Sequence, residues 1–276
     1  MIEFRNVNFS IGEQRILTDI SFRVPKGETR VILGPSGSGK STVLRLLMGL
    51  WVPDTGTIFV HGEDIVTADP ERLREIRRMM GMVFQHGALF DSMTVGENVG
   101  YTLLEDKTDE EEIEQIVIQQ LELVGLDPGV RDRMPDELSG GMQRRVAIAR
   151  ALAARDPEIL LYDEPTTGLD PQSAERITDL IVTLRDKMGK TSIMVTHDIA
   201  DAFKAGNRIT VLDRGMVKFE GTPAELNVSR DPFIEEFLEP FRKAVAAAYR
   251  REGNDRPAPP LFTPPGPSRP QPGGAP

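Results

Sequence analysis

The chain has 276 residues, 39% of them hydrophobic and 28% charged, and a formal net charge of -10. That length suits one large domain or a domain with a lobe, and the acidic balance argues against a reader of nucleic-acid backbones, which needs clustered Lys and Arg. With no cysteine there is no disulfide framework or thiolate metal site; no apolar run reaches the roughly 18 residues of a membrane span, and MIEFRNVNFS lacks a signal pattern.

Ile2 to Phe9 and Ile16 to Val24 alternate apolar and polar residues about the turn Ile11-Gly12-Glu13-Gln14, which predicts two antiparallel strands with one buried face each. Pro25 to Glu28 is a turn, and Thr29 to Leu33 is a short strand. GPSGSGKST follows, that is Gly34-Pro35-Ser36-Gly37-Ser38-Gly39-Lys40-Ser41-Thr42, and then the amphipathic Val43 to Leu47. Strand, glycine loop and helix in that order make this a phosphate-binding loop. Gly34, Gly37 and Gly39 let the backbone curl with its N–H groups inward. The helix starting near Gly39 adds unpaired N–H groups and the positive end of its dipole. Lys40 supplies charge for the β- and γ-phosphates of a nucleotide, and Ser41 a hydroxyl for Mg²⁺.

A turn at Pro53 to Gly56 precedes a strand, Thr57 to Val60; a basic helix is expected over Leu73 to Met80 and an apolar strand over Met82 to Gln85. From about 87 to 150, strand signals give way to helical periodicity, which predicts a helical lobe inserted into an α/β domain. Within it, Thr108 to Glu111 has the capping-box pattern with Thr108 as cap. Ile113, Ile116, Val117, Leu121 and Val124 fall on one helical face, and Gly125 ends the run. The run Glu110 to Glu114 is expected as a solvated face, and His61 and His86 as surface turn residues. Leu138-Ser139-Gly140-Gly141-Met142-Gln143 opens another helix. Ser139 caps it and the glycines leave its first N–H groups open to an anion. Such an end, remote from the phosphate loop of its own chain, makes sense if it meets the nucleotide of another copy.

Ile159 to Asp163 is a continuous apolar run ending in acid, as in a strand buried on both faces of a parallel sheet. Asp163 can hold Mg²⁺ with Ser41. Glu164, fixed before Pro165, can orient or deprotonate an attacking water. Asp170-Pro171 starts a helix whose buried stripe is expected at Ala174, Ile177, Ile181, Leu184 and Met188. Ser192 to Thr196 is a strand with His197 at its end. Two strands, Arg208 to Asp213 and Met216 to Gly221, surround a turn, and Thr222 to Glu225 opens a capped helix. Phe233, Phe237, Phe241 and Val245 mark a C-terminal helical extension, 229–252, with Pro240 breaking or kinking it. The proline-dense residues 253–276 are expected to be disordered.

Taken together, these motifs resemble the nucleotide-binding subunit of an ATP-binding-cassette (ABC) transporter over residues 1–228. GPSGSGKST resembles Walker A, Gln85 the Q-loop, LSGGMQ the family signature, LLYDEP (Leu160 to Pro165) Walker B with its catalytic glutamate, Thr167 to Asp170 the D-loop, and His197 the H-loop. The resemblance implies a P-loop NTPase fold with an antiparallel β subdomain, a RecA-like parallel core and the inserted lobe. It implies ATP and Mg²⁺ as ligands, with Gln85 joining Ser41 and Asp163 at the metal. It further implies a head-to-tail homodimer in which Walker A of one chain and Ser139, Gly140, Gly141 of the other enclose each ATP, with Asp170 at the junction. The aromatic residue that usually stacks on adenine is replaced by Ile11, with Phe9 nearby. Gln85 to Val95 with Glu97-Asn98-Val99 is similar to the Mla or Mce-associated lipid-transport branch. That implies permease subunits docking near Gln85 to Phe90, a Mce-type substrate-binding protein reached through the permease, and a peripheral place on the cytoplasmic face of the inner membrane. An importer ATPase for amino acids or other small molecules, a soluble ABC protein of translation or repair, and a cofactor-assembly cassette are the competing readings.

Overall fold

The computed structural model describes residues 1–105, 108–154 and 156–251. The expected disordered tail, 253–276, lies outside them.

β1 (Ile2–Ile11) and β2 (Gln14–Val24) form the expected antiparallel pair, with Phe4 opposite Phe22 and their rings stacked at 4.5 Å. β4 (Thr55–Val60) pairs with the other edge of β1, and the two-residue β5 (Glu63–Asp64) closes a sheet ordered β2-β1-β4-β5. β4 starts two residues before the expected Thr57. Gly56 makes this possible at φ 92, since a side chain there would strike the backbone oxygens of Arg5 and Asn6.

The second sheet runs β10 (Met216–Gly221), β9 (Arg208–Asp213), β3 (Thr29–Leu33), β8 (Thr191–Thr196), β7 (Ile159–Asp163), β6 (Met80–Val83). All its pairings are parallel except β10 with β9. Its inner strands are apolar on both faces because each face has its own core. Ile32, Ile159, Leu161, Ile193 and Val195 join a cluster with the antiparallel sheet and α1 (Lys40–Leu47). Val31, Leu33, Leu160, Tyr162 and Met194 join a second cluster on the other side. There they meet the lobe helices α3 (Val95–Glu105), α4 (Glu110–Leu123) and α5 (Gly140–Ala153), and also α6 (Pro171–Met188) and α7 (Ile199–Ala205). This is an α/β P-loop NTPase with an antiparallel subdomain and a helical lobe.

Several local expectations change. The basic helix α2 runs from Pro70 to Arg78, capped by Asp69, whose carboxylate accepts from Arg72 N–H. Met80 instead opens β6, and Phe84 and Gln85 lie beyond it. α4 is capped by Asp109 rather than Thr108: the aspartate accepts from Glu111 N–H. Ile113, Val117, Leu121 and Val124 are buried as expected, with Ile116 partly so, and the glutamates beside them are exposed. In α6, Ile177, Ile181 and Leu184 are buried, but Met188 is 40% exposed, because the helix ends at Gly189 after its last turn has left the core. α8 (Pro223–Val228) has the full capping box of Thr222 and Glu225. α9 (Pro232–Arg251) runs through Pro240 without a break. Its first turns are anchored in the core by Ile234 and Leu238, with Phe233 and Phe237 packed alongside, and that burial outweighs the bond the proline removes.

Candidate functional site: three strand ends and a glycine loop

The carboxyl ends of β3, β8 and β7 open on one edge of the sheet, where ligands bind in open α/β folds. The loop Gly34–Gly39 leaves β3 there. Gly34 N–H donates to Thr196 O at 3.3 Å, and a side chain at Gly34 would lie 2.1 Å from Leu212 O, so the loop hugs the neighbouring strand ends. Gly37 and Gly39 have φ of 79 and 100. Gly39, the residue before α1, offers no side-chain cap, so the positive end of that helix points into the curl of the loop. Ser38 and Thr42 are buried, Pro35 and Ser36 exposed.

Lys40 is only 6% exposed. Its ammonium donates to Gly34 O at 2.9 Å and Pro35 O at 3.1 Å, and sits 3.3 Å from Glu164 Oε1. Ser41 donates its hydroxyl to Asp163 Oδ1 at 2.8 Å. β8 lies between β3 and β7, so Asp163 is one strand removed from the loop; α1 carries Ser41 across to it. Burial pushes the Asp163 carboxyl above the usual range, with Ser41 pulling the other way and Glu164 adding to the rise. A desolvated carboxylate, a hydroxyl beside it and the half-buried amide side chain of Gln85 are hard oxygen donors of the kind Mg²⁺ accepts alongside water and phosphate oxygens. Among the described residues no cluster of three or more acidic, His or Cys ligands exists.

Glu164 has φ 49, a left-handed conformation that costs a non-glycine residue energy. The strain aims its carboxylate back over the strand ends. There Oε2 lies 2.8 Å from His197 Nδ1 and accepts from Thr167 Oγ1 at 2.9 Å and His197 N–H at 3.3 Å. Lys40, Ser41, Asp163, Glu164 and His197 thus form one connected network from three segments.

Ser139 and the signature glycines begin α5, which packs on the opposite sheet face from α1. Ser139 Oγ accepts from Met142 N–H at 3.4 Å. Ser139 and Gly140 are exposed, whereas Gly141 is buried. A side chain at Gly141 would come within 2.8 Å of Ser173 Oγ, so this glycine also serves packing inside its own chain. Asp170 caps α6 through Ser173 N–H at 3.0 Å, and the Ser173 hydroxyl and N–H bonds pull its carboxyl below the usual range. Phe9 is buried and stacked on Trp51 at 5.2 Å, so it presents no face to a base, while Ile11 is 52% exposed.

The comparisons agree with this geometry. The ABC transporter family profile matches residues 17–167. The chain belongs to the ABC transporter family. It is 40% identical over 239 residues to the intermembrane phospholipid transport system ATP-binding protein MlaF of Haemophilus influenzae, across 86% of this chain and 90% of the relative. It is 41% identical over 238 residues to the sulfate/thiosulfate import ATP-binding protein CysA of Mycolicibacterium paratuberculosis, across 86% of this chain and 64% of that one. The dimeric structure of a post-hydrolysis ATP-binding cassette with ADP and Pi superposes with a TM-score of 0.73 at 36% identity, covering 81% of this chain and 99% of that one. The chain is therefore an ABC transporter ATPase subunit.

Sequence reading missed two arginines that tie the cassette together. Arg144 and Arg150, both on α5, donate to the backbone of the segment after β6: Arg144 to Phe84 O at 2.5 Å, Arg150 to Gly87 O at 2.8 Å and Ala88 O at 2.7 Å. Burial lowers the pKa of both guanidiniums. Asn98, fully buried, holds the other end of the segment through Phe90 N–H, Phe90 O, Met93 O and Thr94 O. Their spacing from one another in the sequence carries no motif. Between these anchors Ala88 and Phe90 are exposed, while Leu89 packs on the core. A cleft of about 430 Å³ opens beside them, with Phe84, Phe90, Tyr101 and Arg150 in its wall.

Proposed function

We propose that this subunit powers lipid, specifically phospholipid, transport through separate membrane subunits, working as a head-to-tail homodimer with ATP at both junctions. The observation that carries the dimer is the division of phosphate-binding parts. α1, which follows the phosphate loop, packs on one face of the sheet, and α5, with its capped, partly exposed Ser139–Gly141 end, packs on the other. Lys40 and the loop Gly34 to Thr42, through those of its N–H groups that are open, bind the phosphates from one chain, and Ser139, Gly140 and Gly141 of its partner approach from the other, with Asp170 at the seam. Ser41, Asp163 and Gln85 would hold Mg²⁺, which neutralises phosphate charge when bound. Glu164 accepts a hydrogen bond, and then the proton, from a water aligned on the γ-phosphorus; the bond to the bridging oxygen breaks and ADP and phosphate separate. His197, fixed by Glu164, contacts the γ-phosphate, and Gln85 reports its presence to the segment that follows.

The clefted segment Phe84 to Phe90 docks a helix of the permease, reaching any Mce-type protein through it. Among the described residues no helix is long and apolar enough to cross a membrane, in keeping with a peripheral subunit on the cytoplasmic face. The likeness to MlaF favours lipid cargo. The comparable likeness to CysA keeps a small-molecule importer as the second reading. Mixing Lys40→Ala chains with Ser139→Ala chains tests the sharing of sites: a mixed dimer retains at most one competent site, and full activity in the mixture would contradict it. Lipid co-purifying with the chain and its membrane partner supports the cargo; stimulation of ATP hydrolysis by a small anion alone would move the reading to the importer.

A further inference from the structure

α7 carries Asp201, a carboxyl that no part of the mechanism above uses. It is 8% exposed. Oδ2 accepts the hydroxyl of Thr166, two residues after Glu164, and Oδ1 lies 2.6 Å from the hydroxyl oxygen of Thr178 on α6. Thr178, fully buried, also has its hydroxyl 3.1 Å from Ala174 O. A threonine hydroxyl has one proton to give. Were Asp201 ionised, Oδ1 and Ala174 O would compete for that proton. With the proton on Oδ1, Asp201 donates to Thr178, Thr178 donates to Ala174 O, and Oδ2 still accepts from Thr166, so every atom has its partner.

We propose that Asp201 is a positioning residue for ATP hydrolysis and acts as a neutral carboxylic acid. Its bonds tie the segment after Glu164, helix α6 and the helix that follows His197 into one unit. The inference rests on the assignment of Glu164 and His197 to hydrolysis. Those two side chains stand 2.8 Å apart on segments that Asp201 joins, so the clamp fixes their register. Burial raises the Asp201 carboxyl, the two hydroxyls counter it, Asp198 at the start of α7 adds to the rise, and Lys204 one turn on lowers it. Lys204 is itself paired with Glu175 at 3.3 Å and Asp179 at 2.7 Å on α6. His197 and Asp198 share with Asp201 the wall of an open cavity of about 530 Å³.

Two measurements on the full chain decide this. Infrared difference spectra of wild type against Asp201→Asn at neutral pH should show the carbonyl band of a protonated carboxylic acid in wild type only; its absence overturns the neutral acid. In steady-state hydrolysis, Asp201→Ala should lower kcat about 10-fold, since small misplacement of reacting groups is costly, with little change in KM for ATP. Asp201→Asn, which keeps a donor and an acceptor, should restore most of the rate. Wild-type kcat in Asp201→Ala overturns the positioning role. Should that variant fail to fold, Thr166→Val removes one bond at nearly constant shape, and an unchanged kcat there overturns the role equally. Unimpaired turnover in Glu164→Gln would defeat the assignment of hydrolysis instead, and leave the infrared band where it is.

Discussion

The N-termini of α1 and α5 both carry glycines, yet they are finished in opposite ways. α1 begins at a left-handed glycine with no side-chain cap, its Lys40 is buried against loop carbonyls and Glu164, and its Ser41 is tied to Asp163. α5 begins at an exposed serine that caps its own helix, and its buried glycine serves a fit against Ser173. One end is wired into a network of charges inside the chain; the other is locally satisfied and faces outward. Phosphate affinity at a helix end requires open N–H groups and, for chemistry, convergent charge. Within one chain only α1 has the second, so α5 can contribute to catalysis only beside a network supplied from elsewhere.

The largest effect should come from the network. Glu164→Gln keeps the shape but removes the proposed base, and ATP turnover should fall by about 10²–10⁴-fold with ATP binding retained, as read by single-turnover hydrolysis and a binding titration. Wild-type turnover would remove Glu164 from its role. Next, Gly141→Ala presses a methyl group to within 2.8 Å of Ser173 and should destabilise the chain by about 1–3 kcal/mol in denaturant unfolding, as overpacking does. An unchanged midpoint would mean that the α5 end yields, and the contrast with α1 would weaken.

The third test uses pH. The native state raises the Asp163 carboxyl, so it holds the proton more tightly than the unfolded chain. The stability this adds is full below the ordinary carboxylate range and is lost as pH rises through the raised value. Asp163→Asn lacks that loss. In nucleotide-free protein the variant should therefore gain stability relative to wild type as pH rises from the ordinary carboxylate range of about 4 through the raised value; a constant difference with pH would refute the assignment. The smallest effect is expected at the α5 cap. Ser139→Ala removes a 3.4 Å bond and should cost at most about 1 kcal/mol in unfolding, even though on the proposed sharing of sites it disables one.

The sequence by itself determined the local chemistry. Gly34 to Thr42 between an apolar run and an amphipathic one could be little else than a phosphate loop. Asp163 and Glu164 at the end of a doubly buried strand, Ser139 before its helix and Asp170 before proline were legible because each depends on neighbours within a few residues. Tertiary structure decided whatever depends on what lies across the sheet or between helices. It set β8 between the loop strand and the Asp163 strand, covered Phe9 with Trp51 and kept α9 whole through Pro240. It also brought Arg144, Arg150 and Asp201 to partners 60, 62 and 35 residues away. Chain-local patterns record hydrogen bonds and periodicities made along the backbone. A buried guanidinium or carboxyl finds its partner only when separate elements pack, and nothing in the spacing of its own segment encodes that meeting.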